Sequence, residues 1–193
     1  MTTQKVKILK VNKYIQNDIL VCPLRKLDII KVMNWRNSQI KYLRQTKIIT
    51  KKEQVNYYNQ VVLKGHLNKK PKQILFSILK DSVCIGYGGL VHIDWENKNS
   101  EISFLLKPKL YSKENKYSEY FNDFLVIIEK ISHQIELHKI YTFGYDIGRY
   151  RFEPLKKRNF VMEVKLKDHV FIEKKIKDVL IYSKIISNGN KAR

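Results

Sequence analysis

Hydrophobic and polar positions along this chain change period several times, and each change marks an element. Residues 5 to 11 (KVKILKV) and 18 to 24 (DILVCPL) are apolar and β-branched around a polar YIQND turn, with Pro23 stopping the second. They predict an N-terminal β-hairpin over residues 1–24. Ile29, Val32, Met33 and Trp35 share one face of a short helix ending near Trp35-Arg36-Asn37, with Asp28 placed to cap it. Thr50-Lys51-Lys52-Glu53 is a capping-box pattern and starts a helix running to about Leu63, after which GHLNKKPK reads as a loop. Three β-rich runs follow at 73–80, 83–95 and 100–106, separated by short polar turns. Beyond a polar loop at 107–116, Tyr120, Phe124, Ile127, Ile128 and Ile131 repeat at helical spacing and predict a long helix to about Glu136. A strand at 139–146, a short helix at 149–158 and two closing strands complete the series. The order β-β-α-α-β-β-β-α-β-α-β-β is an α/β arrangement, a mixed central sheet flanked by helices.

Composition narrows the class. A chain of 193 residues with 44% hydrophobic content can bury one core, so a single domain over 1–193 is expected, with a frayed tail at 187–193. Cys22 and Cys84 lie far apart with no histidine at ligand spacing, which points to a reducing cytoplasm and to no metal. No signal-peptide core and no membrane-length apolar run is present in the sequence. The net charge of +20, from 38 basic against 18 acidic residues, is scattered along the chain without a nucleic-acid motif. Biased composition accounts for it, with an attraction for anionic small molecules such as coenzyme A or a nucleotide-sugar as a by-product.

Several strings taken together, MNWRN, CIGYGGLVHIDW, SEISFLL and HKIYTFGYD with the later PLKKRNFVMEVKLKDHVF and KDVLIYSKI, resemble the GNAT superfamily of N-acetyltransferases over nearly the whole chain. YLRQTKIITKKEQVNYYNQVV with GYGGLVHIDW and NSEISF resembles a bacterial subgroup associated with surface-polysaccharide and nonulosonic-acid synthesis. The resemblance implies the GNAT fold and acetyl-CoA as cosubstrate, with transfer onto a primary amine of a nucleotide-linked amino sugar. Protein N-terminal or lysine acetylation, and a non-catalytic binding module of the same fold, are the alternatives. A homodimer is among the allowed assemblies.

Site residues follow from the same resemblance. The thioester would lie beside strand SEISFLL, where main-chain amides around Ser103, Phe104, Leu105 and Leu106 hydrogen-bond its carbonyl. Glu101 is the first choice for general base, because strand alternation puts it on one face with Ser103 and Leu105. His92 and Asp146 are further proton-handling candidates, with helix capping as the competing role of Asp146. Alternation sets His92 and Asp94 opposite Val83, Ile85, Tyr87, Val91, Ile93 and Trp95. Trp35, Arg36, Asn37, Arg44, Gln45 and Tyr87 would shape the acceptor pocket. The chain departs from the family where a glycine-rich turn cradles the CoA diphosphate: KPKLYSKENKYSEYF has no glycine. Lys113, Lys116 and the helix amides near Tyr117 and Ser118 are left to supply that contact. The family's usual asparagine and acidic tyrosine fall at Gly148 and Leu155. A thiol of pKa ~8.5 leaves tolerably as thiolate, so an acid is dispensable or comes from water or Tyr150.

Overall fold

The computed structural model describes residues 5–186. Its centre is one eight-stranded sheet in the order β1-β2-β3-β4-β5-β6-β8-β7, where β1 is Tyr14–Gln16, β2 Ile19–Pro23, β3 Ile74–Lys80, β4 Val83–Asp94, β5 Asn99–Leu106, β6 Lys139–Tyr145, β7 Val161–Ile172 and β8 Lys175–Ile185. Every neighbouring pair is antiparallel except β5 with β6. The helices are α1 (Ile29–Ser38), α2 (Lys51–Tyr57), which continues through a π-helical segment Tyr58–Leu63 into α3 (Lys64–Leu67), α4 (Pro108–Tyr111), α5 (Glu114–Gln134) and α6 (Glu153–Lys157). None is long and apolar enough to cross a membrane among the described residues.

Two apolar layers sandwich the sheet. On one face α5 and α6 supply Phe124, Leu125, Ile127, Ile128 and Leu155 against Phe76, Ile102, Leu106 and Ile140. On the other, α1 and the π-helical segment bring Ile29, Val32, Tyr58 and Val62 against Leu75, Tyr87 and Leu105. Alternation along β5 holds as expected, with Ile102, Phe104 and Leu106 toward α5 and Leu105 toward α1.

Three local expectations are corrected. Residues 5–11 form no strand: Val6 and Leu9 are buried one turn apart, and Leu9 N–H donates to Val6 O. The hairpin is instead β1–β2, closed at Asn17-Asp18, where the left-handed φ of 48° at Asn17 suits an Asn. Asp28 does not cap α1, since its carboxylate accepts from Arg25 Nε and from Ser77 Oγ at 2.6 and 2.8 Å inside the core. Burial without a partner is costly, so the arginine takes the carboxylate away from the helix end. The expected loops GHLNKKPK and 107–116 are partly helical, with helical turns at Lys64–Leu67 and Pro108–Tyr111. The capping box at Thr50 and Glu53 is formed as read, with both reciprocal hydrogen bonds. The tail expected at 187–193 lies outside the described residues.

Candidate active site

β5 and β6 pair only from Asn99 to Glu101 against Lys139 to Tyr141. Beyond that point β5 stays bonded to β4 as far as Leu106, while β6 follows β8. The sheet opens there into a V. Lys98 O accepts from Lys139 N–H at one end and Lys107 N–H donates to Ile85 O at the other. Hydrogen-bond direction alternates along a strand, so the N–H groups of Phe104 and Leu106 point into the gap and that of Leu105 toward β4. The Leu106 carbonyl, also on the gap side, is taken by Gln39 Nε2 at 2.9 Å.

A cavity of about 750 Å³ runs through this opening, within the range of small-molecule sites. Its walls come from both sheet faces. Tyr87, Val91, Ser103 and Leu105 line it on the α1 side, and Ile102, Phe104, Tyr117 and Phe121 on the α5 side. Two reactants can therefore approach one point from opposite faces of the sheet.

At that crossing Glu101 is only 6% exposed. Its carboxylate accepts from Arg44 Nη2 and lies 3.9 Å from His92 Nε2. Burial pushes its pKa above the ordinary carboxylate value, while Arg44 and His92 oppose the rise. Arg44 is placed by stacking on Phe143 of β6, 4.6 Å from the ring centroid. His92 reaches the cavity because it is the extra residue of a β-bulge, with φ of 51° and a register shift between Val91 and Asp94. A second irregularity opposite Ile78/Leu79 also shifts the phase of β4. The expected common face of β4 is corrected accordingly: Tyr87 and Val91 face α1, Ile85 and Ile93 face α5, and His92 joins Tyr87 at the cavity. Asp94 is occupied in the turn, its Oδ1 accepting from the backbone N–H of Glu96 and Asn97.

The residues expected to shape an acceptor pocket divide into two sets. Arg36 and Arg44 line the cavity, with Arg36 donating to Tyr87 OH and Gln45 Oε1 at 2.5 and 2.9 Å. Asn37 and Gln45 stand behind them: Asn37 bonds both main-chain groups of Ile49, and Gln45 bonds Asn37. They fix the 43–50 segment rather than face the cavity. Trp35 packs into the core beneath α1.

Other placements differ from expectation. Asp146 is absent from the cavity wall and caps no helix, its N–H bonding Asp178 O. Lys116 ion-pairs with Glu119, and neither it nor Lys113 lines the cavity. Ser118 Oγ donates to Tyr150 O, so that hydroxyl is spent tying α5 to the loop after β6. Tyr117 does line the cavity, and burial pushes its phenol up to about 12.

Sequence reasoning missed two groups. Thr142, the first β6 residue past the pairing with β5, has a buried Oγ1 with no hydrogen-bond partner among the described residues and lines the cavity. Arg151 lies in a cage of tyrosines at the α5 end. The only local signal was Arg-Tyr-Arg in a glycine-led turn, which carries no indication of tyrosines 40 residues away. Along one passage lie an open strand with gap-facing main-chain N–H groups, the Thr142 hydroxyl and an arginine without a carboxylate partner among the described residues.

Structural relatives share this architecture. Spermidine N-acetyltransferase from Vibrio cholerae, solved with CoA and spermine, superposes with a TM-score of 0.71 at 19% identity, covering 87% of this chain and 95% of that one. A dodecameric form of the Vibrio cholerae enzyme gives 0.72 at 20% identity, covering 88% and 94%. An N-acetyltransferase from Staphylococcus aureus Mu50 gives 0.69 at 12% identity, covering 89% and 100%. No curated protein sequence matches the chain. The family model described as an acetyltransferase (GNAT) domain matches residues 23–144, more than half of the sequence, with β3, β4 and β5 whole and β6 up to its last residue, and the chain thus belongs to the GNAT family of N-acetyltransferases.

Proposed function

We propose that this chain, acting as one catalytic unit in the cytoplasm, transfers acetyl from acetyl-CoA to the primary amine of a small anionic acceptor, a nucleotide-linked amino sugar of bacterial surface-polysaccharide synthesis. The observation that carries the reading is the cavity that pierces the sheet where β5 leaves β6, with Glu101 at its crossing. Two free, buried cysteines support a reducing compartment.

Acetyl-CoA supplies the electrophile, an activated thioester carbon. Donors available to its carbonyl oxygen are the gap-facing N–H groups of Phe104 and Leu106, fixed in place by the β4 ladder. The Glu101 carboxylate accepts the proton that an ammonium group must lose before its nitrogen can attack, and its raised pKa suits it to that exchange. Val91, Leu105 and Phe143 give the cavity an apolar wall.

Charge selects the acceptor. Glu53 and Glu101 are the carboxylates on the cavity wall, and Lys47 and Arg44 already pair with them. Arg36 has no carboxylate partner among the described residues and is held by Tyr87 and Gln45. Such a wall repels a polycation of the spermidine kind and holds a diphosphate or carboxylate through guanidinium forks. Free-thiol release from acetyl-CoA, followed in the presence of UDP-linked amino sugars, N-terminal peptides or spermidine, tests this. Turnover confined to the amino sugars is expected; spermidine or a peptide as the best acceptor removes the sugar assignment.

A further inference from the structure

Arg151 lines the cavity on the α5 side and has no carboxylate partner among the described residues. Its guanidinium carbon lies 3.9 Å from the ring centroid of Tyr111, 5.0 Å from Tyr150, 5.2 Å from Tyr117 and 5.7 Å from Tyr42. Tyr42 and Tyr111 stack on each other at 5.3 Å, and Tyr117 meets both Tyr111 and Tyr150 edge-on, so the rings brace one another around the cation. Nη2 donates to Tyr150 OH at 2.9 Å, and Nε is buried with no hydrogen-bond partner among the described residues.

Ring faces attract a cation but do not neutralise it, and a partly desolvated guanidinium is costly until an anion joins it. The cage also fixes the planar fork in one orientation, which lowers the entropy lost when a bidentate anion binds. Four tyrosines drawn from the segment after α1, from α4, from α5 and from the loop after β6 are more apparatus than a solvent-facing arginine needs. The cage closes the wide end of the V, beside the first turn of α5, to which Ser118 ties it. An acyl donor lying along the gap has its thioester at the Glu101 end, and its charged portion then falls at the cage.

We propose that Arg151 is the diphosphate anchor of the acyl donor, a caged side chain in the place of a glycine-rich turn. The inference rests on acetyl-CoA being the donor. It assigns to one arginine the role expected of Lys113 and Lys116, both of which lie off the cavity.

Calorimetry on the whole chain separates the two ideas, using CoA, dephospho-CoA and S-acetylpantetheine as probes. Arg151→Ala should weaken CoA and dephospho-CoA alike by roughly ten- to hundredfold, the loss of a charge-assisted pair, and should leave S-acetylpantetheine unchanged. Arg151→Lys, which keeps the charge and loses the fork, should fall between; it decides the matter if the alanine variant does not fold, and an unchanged Kd in it overturns the anchor. CoA binding that is unchanged or tighter in Arg151→Ala also overturns the anchor, and the tighter result would make the arginine a plug. A loss seen with CoA but not with dephospho-CoA moves the contact to the ribose phosphate and overturns the diphosphate assignment. Failure of the unaltered chain to bind CoA sinks the donor reading itself, and Arg151 with it.

Discussion

Glu101 joins two properties that rarely coincide in a carboxylate: it is buried, and its partners are basic groups exposed at the cavity mouth. Burial raises its pKa, so the carboxyl keeps its proton to a higher pH than the ordinary ~4.3, and the base form appears only above that raised value. Turnover should therefore climb with pH through an inflection above the usual carboxylate range. Arg44→Ala removes a group that favours the charged form and should move the inflection further up, a shift read from the pH profile of kcat. Glu101→Gln should lower kcat by about 10²-fold or more with little change in CoA affinity; unaltered turnover would take Glu101 out of the mechanism. Its place on the α1 face of β5 was legible in the sequence, because unbroken period-two alternation from Glu101 to Leu106 needs no other element to define it. Arg44 as its partner was not, since nothing local aims a guanidinium from the 43–50 segment across onto Phe143.

At the scale of elements, features closed by neighbouring residues were legible and those set across the sheet were not. The capping box at Thr50 and Glu53 is local, and Thr50→Ala should cost about 1 kcal/mol in a denaturant titration. Bulges at Ile85 and His92 depend on how β4 meets both β3 and β5, and they split the expected common face, leaving Tyr87 with Val91 and turning Ile85 and Ile93 to the other side. Gly88 shows the same dependence: a Cβ there would lie 2.3 Å from Ser103 O and 2.9 Å from Phe124. Gly88→Ala should destabilise the fold by about 3 kcal/mol or more, since main chain on one side and α5 on the other leave no room to relax. His66, which falls in the expected GHLNKKPK loop, lies in α3 and is 3% exposed with neither ring nitrogen bonded among the described residues, and burial holds its pKa at about 4. The folded state thus prefers neutral imidazole. Stability is full above pH 6.5 and falls as the pH drops toward 4, by about 1.4 kcal/mol per unit. His66→Phe should flatten that part of the stability profile, as read by thermal unfolding at pH 7 and pH 4.5.

For the molecule as a whole, the charge of +20 and the composition of the cavity wall act in the same direction. The wall's two carboxylates are already paired with Lys47 and Arg44, leaving Arg36 on the acceptor side and Arg151 on the donor side to face the solvent passage with a positive field. A field of this sign raises the local concentration of anionic reactants and depletes polycations, and it is screened over about 10 Å at 0.1 M salt. Salt dependence therefore reports the sign of the acceptor even before its structure is known. For an anionic acceptor, kcat/KM should fall by about tenfold between 20 and 300 mM NaCl while kcat stays nearly constant, because screening slows encounter and leaves the shielded chemistry around Glu101 alone. A polyamine repelled by the same field would respond the opposite way, gaining efficiency as salt is added. Steady-state kinetics at fixed saturating acetyl-CoA over that salt range distinguishes the two slopes. A rising slope for the best acceptor would mean that the arginines are turned from the amine-bearing substrate and that its recognition falls to uncharged groups such as Tyr57, Gln54 and Tyr87.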